Sequence, residues 1–304
     1  MTNEKTRQQQ TGASLTNLRS VCGSHRFPLE LSVAVASGLL LSSAFPPLEL
    51  DWVIWFAFLP LLLLPIPAPL RCRIGIGFAF GFAHYGTNLA WLNEIGFGAG
   101  ILLALVCACF PLAWYLLLTL YFKAASGYLG KAYSLENPKP ALTDLSPLRY
   151  SGGILLLAAA WVALEWLRSW LFTGFPWNFL GVSQWQHTGL LVITSFTGVY
   201  GISFLIIVAN LVLAWIIMHW RRTRRTPHPL RMHVPVLSGI VLFLLALSAI
   251  LTVPRLGPPD KNLKVAAVQG NLPQMRSYSE KQLALALRVY DTLSRRIVTQ
   301  TGAE

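Results

Sequence analysis

The sequence has 304 residues, 54% of them hydrophobic and only 12% charged. That is too apolar for an ordinary water-soluble domain and points to a polytopic membrane protein. The net charge of +12 does not signal nucleic acid, because the Lys and Arg residues sit in short segments between apolar runs.

Residues 1–26 form a polar tail with Lys5, Arg7, Arg19 and Arg26. A bilayer core about 30 Å thick needs about 20 apolar residues of helix. Seven windows meet that length: Phe27 to Phe45, Trp52 to Pro69, Ile74 to Leu92, Ile101 to Ala125, Ile154 to Phe172, Thr197 to Trp220 and Val234 to Val253. Ser42-Ser-Ala44 resembles a signal cleavage site, but the leader is long and polar and another span follows at once, so an uncleaved first span is expected. With the N-terminus inside, the inner segments hold 15 Lys and Arg residues and the outer loops only Arg168. That asymmetry sets the N-terminus in the cytoplasm and everything after about residue 254 outside. The run Arg221-Arg-Thr-Arg-Arg225 then reads as an anchor to anionic headgroups.

From Pro254 the character changes. Residues 254–262 read as a linker, and Leu263 to Gln269 as a short apolar strand buried on both faces. Ser279 and Gln282 are spaced as a capping box, and Leu283, Leu287, Tyr290, Leu293 and Ile297 recur at helical spacing behind it. One strand and one helix cannot bury both faces of either element, so residues 263–304 are expected to open a larger α/β unit.

Polar groups gather near the outer ends of the spans. Glu165 and Arg168 share a helix face, with Glu165 expected about 10 Å below the end of its span. Such charges face a bundle interior or a wet cavity, so the two either join helices as a pair or line a pocket open to the outer leaflet. Thr173-Gly-Phe-Pro-Trp177 ends that helix, because Pro176 disfavours helix at Phe175 and Gly174 permits a left-handed cap. On the third span Gly77, Gly81, His84, Asn88 and Trp91 fall on one stripe, suited to close packing and interhelical hydrogen bonds, and Glu94 follows at its outer end. The cysteines, Cys22, Cys72, Cys107 and Cys109, include no CxxC and no zinc spacing, so neither a disulfide framework nor a metal site is signalled. Cys107 and Cys109 point to different faces of the fourth span, away from any base on the outer side.

Two blocks carry a resemblance. Glu165-Trp-Leu-Arg168, Thr173-Gly-Phe-Pro-Trp177, Ser183-Gln184 and Gly198-Val-Tyr-Gly-Ile-Ser-Phe204 resemble the membrane part of bacterial apolipoprotein N-acyltransferases. Val268-Gln-Gly-Asn-Leu-Pro-Gln274 resembles the start of that family's nitrilase-like domain. The resemblance implies seven membrane helices followed by an αββα domain in the periplasm, of which this chain carries the first strand and helix. It implies an enzyme of the inner membrane that moves an acyl chain from a phospholipid to a cysteine thioester. From there the acyl passes to the α-amino group of a lipoprotein's diacylglyceryl-cysteine. A Glu-Lys-Cys triad does the chemistry as base, oxyanion donor and nucleophile, with no cofactor and no metal. A membrane vestibule beneath the domain admits the lipid tails. Glu165, Arg168, Pro176, Trp177 and Gln184, together with Gln269, Asn271, Pro273, Gln274 and Tyr278, are its candidate lining, and His84, Asn88 and Glu94 form a secondary polar stripe.

The sequence departs from that pattern where the chemistry sits. It has no Trp-Pro-Glu, no lysine after Lys281 and no cysteine after Cys109, and Tyr278 stands where the family has a tryptophan. The chain is therefore expected to be the N-terminal portion of such an enzyme and inactive alone, with a second polypeptide as a possible source of the rest. Two other readings are a small transporter coupled through Glu165, Arg168 and His84, which predicts inverted repeats, and a lipid-binding remnant without chemistry.

Overall fold

A computed structural model describes residues 27–66, 69–125, 147–223, 266–273 and 279–301. The chain divides into two compact units, Met1–Val253 and Pro254–Glu304. In the first, the helices are α1 (Phe27–Ser42), α2 (Leu59–Leu62), α3 (Leu70–Asn88), α4 (Leu92–Ile95), α5 (Ala99–Ala125), α6 (Pro147–Arg168), α7 (Thr188–Thr197) and α8 (Val199–Thr223). The described part of the second unit contains α9 (Glu280–Thr301).

Among the described residues three stretches are long and apolar enough to cross a bilayer, Ala99–Ala124, Tyr150–Arg168 and Val199–Met218. They belong to α5, α6 and α8. The window from Ile74 to Leu92 is realised as α3, which starts earlier because Pro69 supplies an extended residue just before its first turn. The seventh window, Val234 to Val253, lies outside the described residues, as does the basic run after Thr223.

The second window is not one continuous helix. Asp51–Trp55 is a 3₁₀ turn, and only the four residues of α2 follow it as α-helix. Pro60 and Pro65 break the ladder that a full span would need. The chain must still return there, because α1 and α3 run parallel: Phe27 lies against Gly75, and Ser42 against His84. Residues 51–66 therefore descend the bundle as irregular backbone. In a hydrocarbon environment each freed backbone group needs a partner inside the protein. Asn210 on α8 supplies three contacts: Oδ1 accepts from Phe58 N at 3.0 Å, and Nδ2 donates to Ile54 O and Ile206 O, both at 2.9 Å. Ser37 Oγ on α1 donates to Ala57 O at 2.6 Å. Gln184 Nε2 donates to Asp51 O at 3.0 Å.

The long helices meet through small residues and aromatics. A Cβ on Gly81 would lie 2.8 Å from Ala108 O, so α3 and α5 are in backbone contact there, as the glycine stripe suggested. Phe58, Trp114 and Trp161 pack edge to face at 5.1–5.6 Å in the core, and Trp114 Nε1 donates to Leu157 O at 2.9 Å. Tyr150 OH donates to Leu211 O at 2.9 Å and ties α6 to α8. The helix α7 was not foreseen. Gly198, at φ +60°, separates it from α8, so one apolar run divides into two helices.

In the second unit the capping box forms: Ser279 N donates to Gln282 Oε1 at 2.9 Å, and Gln282 N donates to Ser279 Oγ at 3.4 Å. The expected strand does not. Residues 266–273 are described without strand structure, and residues 263–265 lie outside the described set. A strand exists by pairing, and no second strand is present among the described residues to complete a ladder. Instead the segment rests on α9, with Gly270 against the Tyr290 ring. Leu283, Leu285 and Leu287 remain more than half exposed.

Candidate functional site

Glu165 and Arg168 end α6, and the helix stops at Arg168 rather than at Phe172. Phe172 (φ 53°), Thr173 (φ 80°) and Gly174 (φ 81°) turn the chain in the left-handed half of conformational space, and Pro176 follows. Glu165 therefore sits in the last turn, about 4.5 Å from the helix end at 1.5 Å per residue, not 10 Å.

Both charged side chains are buried, at 4% and 2% exposure, and they are not bonded to each other. Glu165 Oε1 accepts from Trp161 Nε1 at 2.9 Å and from Leu180 N at 2.8 Å. Arg168 Nη1 donates to Trp177 O at 2.6 Å and Phe175 O at 3.2 Å, so the guanidinium staples the Gly-Phe-Pro-Trp turn to its own helix. Its planar head lies between the rings of Tyr85 (5.1 Å) and Phe179 (5.0 Å). Glu165 also lies beside the Ser203 hydroxyl and Arg168 beside the Cys107 thiol, while Oε2 and Nη2 make no hydrogen bond of full geometry. The two residues border a small cavity with Tyr85, Phe110, Pro111, Trp161 and Leu164.

The turn places an aromatic rim around this end of the bundle. Trp91 and Trp177 meet at 5.7 Å, Phe175 stacks on Trp177 at 6.3 Å, and Trp166 meets Trp170 at 5.3 Å. Trp52, Trp91, Trp166, Trp170, Trp177 and Trp185 are all exposed here, and Pro176 is exposed beside them. Amphipathic rings in this number mark headgroup depth.

His84 and Asn88 join helices rather than open to solvent. Asn88 Nδ2 lies 3.1 Å from Ser42 Oγ and 3.2 Å from His84 Nδ1, and Ser42 Oγ donates to His84 O at 2.9 Å. Glu94 is exposed on α4. Gln184 is fully buried, accepting from Trp55 Nε1 at 3.2 Å and donating to Asp51 O and Ser183 Oγ. Gln269, Asn271 and Pro273 are exposed in the second unit, and Gln274 and Tyr278 lie outside the described residues.

Five side chains at this end were not expected from the sequence to belong to the site. Tyr85 and Phe179 sandwich the guanidinium, and Cys107 on α5 lies beside Arg168, nearer to charged groups than its place in an apolar span suggested. Its neighbour Cys109 is exposed on the opposite face. Asp51 Oδ2 and His187 Nε2 meet at 2.7 Å, a half-exposed pair holding the start of the irregular descent to the loop before α7.

Residues 37–212 match the family described as the apolipoprotein N-acyltransferase N-terminal domain. The chain belongs to this family. An apolipoprotein N-acyltransferase from Geobacter metallireducens is 33% identical over 274 residues, covering 87% of this chain and 47% of that protein. One from Photobacterium profundum is 30% identical over 215 residues, covering 69% of this chain and 36% of its own length. One from Coxiella burnetii is 30% identical over 211 residues, covering 66% and 40%. The chain thus spans less than half the length of these curated relatives. The family match includes the whole stretch from α6 through Gln184, so the Glu165 site falls inside the shared membrane domain.

Proposed function

We propose that this chain supplies the membrane part of an apolipoprotein N-acyltransferase of the bacterial inner membrane. The Glu165 end of the bundle receives the phospholipid acyl donor and the diacylglyceryl-cysteine of the lipoprotein acceptor. The observation that carries this reading is the exposed tryptophan rim beside the buried Glu165 and Arg168, whose small cavity of about 10 Å³ has room for a single water. Buried charges are costly in a membrane and gather where function needs them. The rim lies where lipid headgroups meet the protein. Residues from about 254 onward then begin the nitrilase-like domain on the periplasmic side.

The reading fixes an orientation. In a variant without native cysteines, Thr223→Cys is expected to resist a membrane-impermeant thiol reagent in intact spheroplasts, while Asn262→Cys reacts. The reverse pattern would refute it.

It also fixes what this chain lacks. Thioester chemistry needs a thiolate with a base in reach and a donor for the oxyanion. The thiol beside Arg168 at this end, Cys107, is 1% exposed and packed between helices, closed to an acyl donor. Residues 1–304, purified and given phospholipid and a diacylglyceryl peptide, are therefore expected to form neither N-acylated peptide nor an adduct that neutral hydroxylamine removes, as read by intact-protein mass spectrometry. Adding a polypeptide that carries Trp-Pro-Glu, lysine and cysteine motifs is expected to produce peptide acylation that requires both parts. An adduct on the chain alone, abolished by Cys107→Ser, overturns this account.

A further inference from the structure

α1 and α3 run side by side and come into backbone contact where a Cβ on Gly38 would strike Phe80 O. Beside that contact the two helices leave an open groove of about 580 Å³. Its walls are Leu31, Val35 and Leu39 of α1 and the parallel rings of Phe78 and Phe82 of α3, 6.1 Å apart. Its floor is Gly75, Ala79, Ala83 and Gly86, which recur every three or four residues along one face of α3. The floor is open because these side chains are small: a Cβ on Gly86 would meet nothing nearer than the Phe82 ring, at 3.8 Å. Gly77, Gly81 and His84, which join α3 to its neighbours in the bundle, fall on the other side of the helix. The groove therefore faces outward.

Its two ends differ. The Phe27 ring lies against Gly75 and closes one of them. At the other stand Ile101 and Thr87, the one polar side chain in the lining, and Trp91 of the aromatic rim follows Thr87 by about a turn. No lining residue is charged. A cleft that is apolar along its length and polar only where it meets the rim complements an amphiphile with its head at that level. Its dimensions narrow the choice further. Gly75 to Thr87 is about 18 Å of helix, close to the roughly 15 Å that one leaflet contributes to the hydrocarbon core. A volume of 580 Å³ over that length is a section of roughly 30 Å², whereas a helix about 10–12 Å across needs roughly 80–110 Å². The groove is too narrow to seat a helix and wide enough for one alkyl chain.

We propose that this groove holds one acyl chain of an outer-leaflet phospholipid as a resident of the α1–α3 seam, its headgroup by Thr87 and its methyl end at Phe27. The proposal rests on the reading of the bundle as membrane-spanning, and not on any reaction. This lipid sits on the outward face of α3 and is distinct from the acyl donor at the Glu165 end.

Native mass spectrometry of the detergent-purified chain tests this. The chain is expected to keep a single adduct with the mass of a diacyl phospholipid under collisional activation. Gly86→Leu lays a side chain across the groove and is expected to cut that adduct at least fivefold, with the melting temperature equal to the parent's or higher, because leucine replaces glycine within a helix. Leu102→Ala, on the exposed surface of α5 outside the groove, is expected to keep the adduct. No adduct on the parent, or equal adducts on the parent and Gly86→Leu, overturns the proposal. So does equal loss in Gly86→Leu and Leu102→Ala, which would make the lipid part of a general annulus, or a dimer in place of the adduct, which would make the groove a contact between copies of this chain. Reversed cysteine labelling in spheroplasts, with the adduct results as expected, overturns the leaflet and keeps the groove.

Discussion

Arg168→Met is expected to lower the melting temperature of the detergent-solubilised protein by roughly 10 °C, from a loss of about 3–5 kcal/mol. The substitution removes both donors that hold the carbonyls of Phe175 and Trp177, empties the space between the Tyr85 and Phe179 rings, and leaves Glu165 buried without a nearby cation. Glu165→Gln should cost far less. Its amide oxygen can still accept from Trp161 Nε1 and Leu180 N, because both bonds go to the single oxygen Oε1. Glu165→Leu, which removes that acceptor, should fall near Arg168→Met. Thermal unfolding followed by tryptophan fluorescence reads all three. Equal loss for Gln and Leu at position 165 would mean that charge balance with Arg168, and not hydrogen bonding, holds this end together.

That ordering also separates what the sequence carried from what it could not. The spacing of Glu165 and Arg168 placed them on one face, and Gly174 with Pro176 marked the turn that follows; both features are local and were legible. Which atoms the charges would meet was not. The partners of Glu165 come from Leu180, fifteen residues on, and from Trp161 one turn back, while Arg168 bends to the carbonyls of its own turn. Pairing the two charges on spacing alone therefore gave the right neighbourhood and the wrong bonds. The depth of Glu165 was misjudged for a related reason. Apolar composition continues through Phe172, but backbone at positive φ ends the helix at Arg168, and composition does not encode φ.

The same limit explains the second window and the strand. Hydropathy over Trp52 to Pro69 is that of a span, yet its prolines forbid a continuous ladder, and the segment survives as irregular backbone only because distant side chains serve it. Residues 266–269 have the composition of a buried strand, but a strand needs a neighbour and none is available among the described residues. By contrast the Ser279–Gln282 box formed as read, since its whole geometry lies within four residues. The glycine stripe of α3 was legible for a similar reason: one helix face dictates close approach, whoever the partner is.

Asn210→Leu is the sharpest test of how this fold tolerates a broken span. Leucine has the same branched outline and number of side-chain heavy atoms and suits an apolar helix, so hydropathy alone predicts a neutral or stabilising change in α8. The structure predicts the opposite. Asn210 is fully buried, and its amide closes the bonds of Phe58 N and Ile54 O, two backbone groups that the 3₁₀ descent leaves without helical partners. Its third contact, to Ile206 O, lies within α8 and is dispensable, because that carbonyl has the helix's own ladder. Two orphaned backbone groups at 1–3 kcal/mol each give a loss of about 2–6 kcal/mol. Asn210→Asp retains the acceptor for Phe58 N but not the donor to Ile54 O, and should fall between. Because Trp55 and Asp51 in the same descent are bonded to Gln184, its loosening should also reach the loop that follows the Glu165 turn. Hydrogen exchange on the purified protein reads this directly: faster exchange across residues 51–62 and 180–187 in Asn210→Leu, with α5 unchanged, is the expected pattern. A variant that melts with the parent and shows no local change would mean that residues 51–58 hold their own backbone bonds in the membrane, and that the polar side chains of α1 and α8 are not what permits the break.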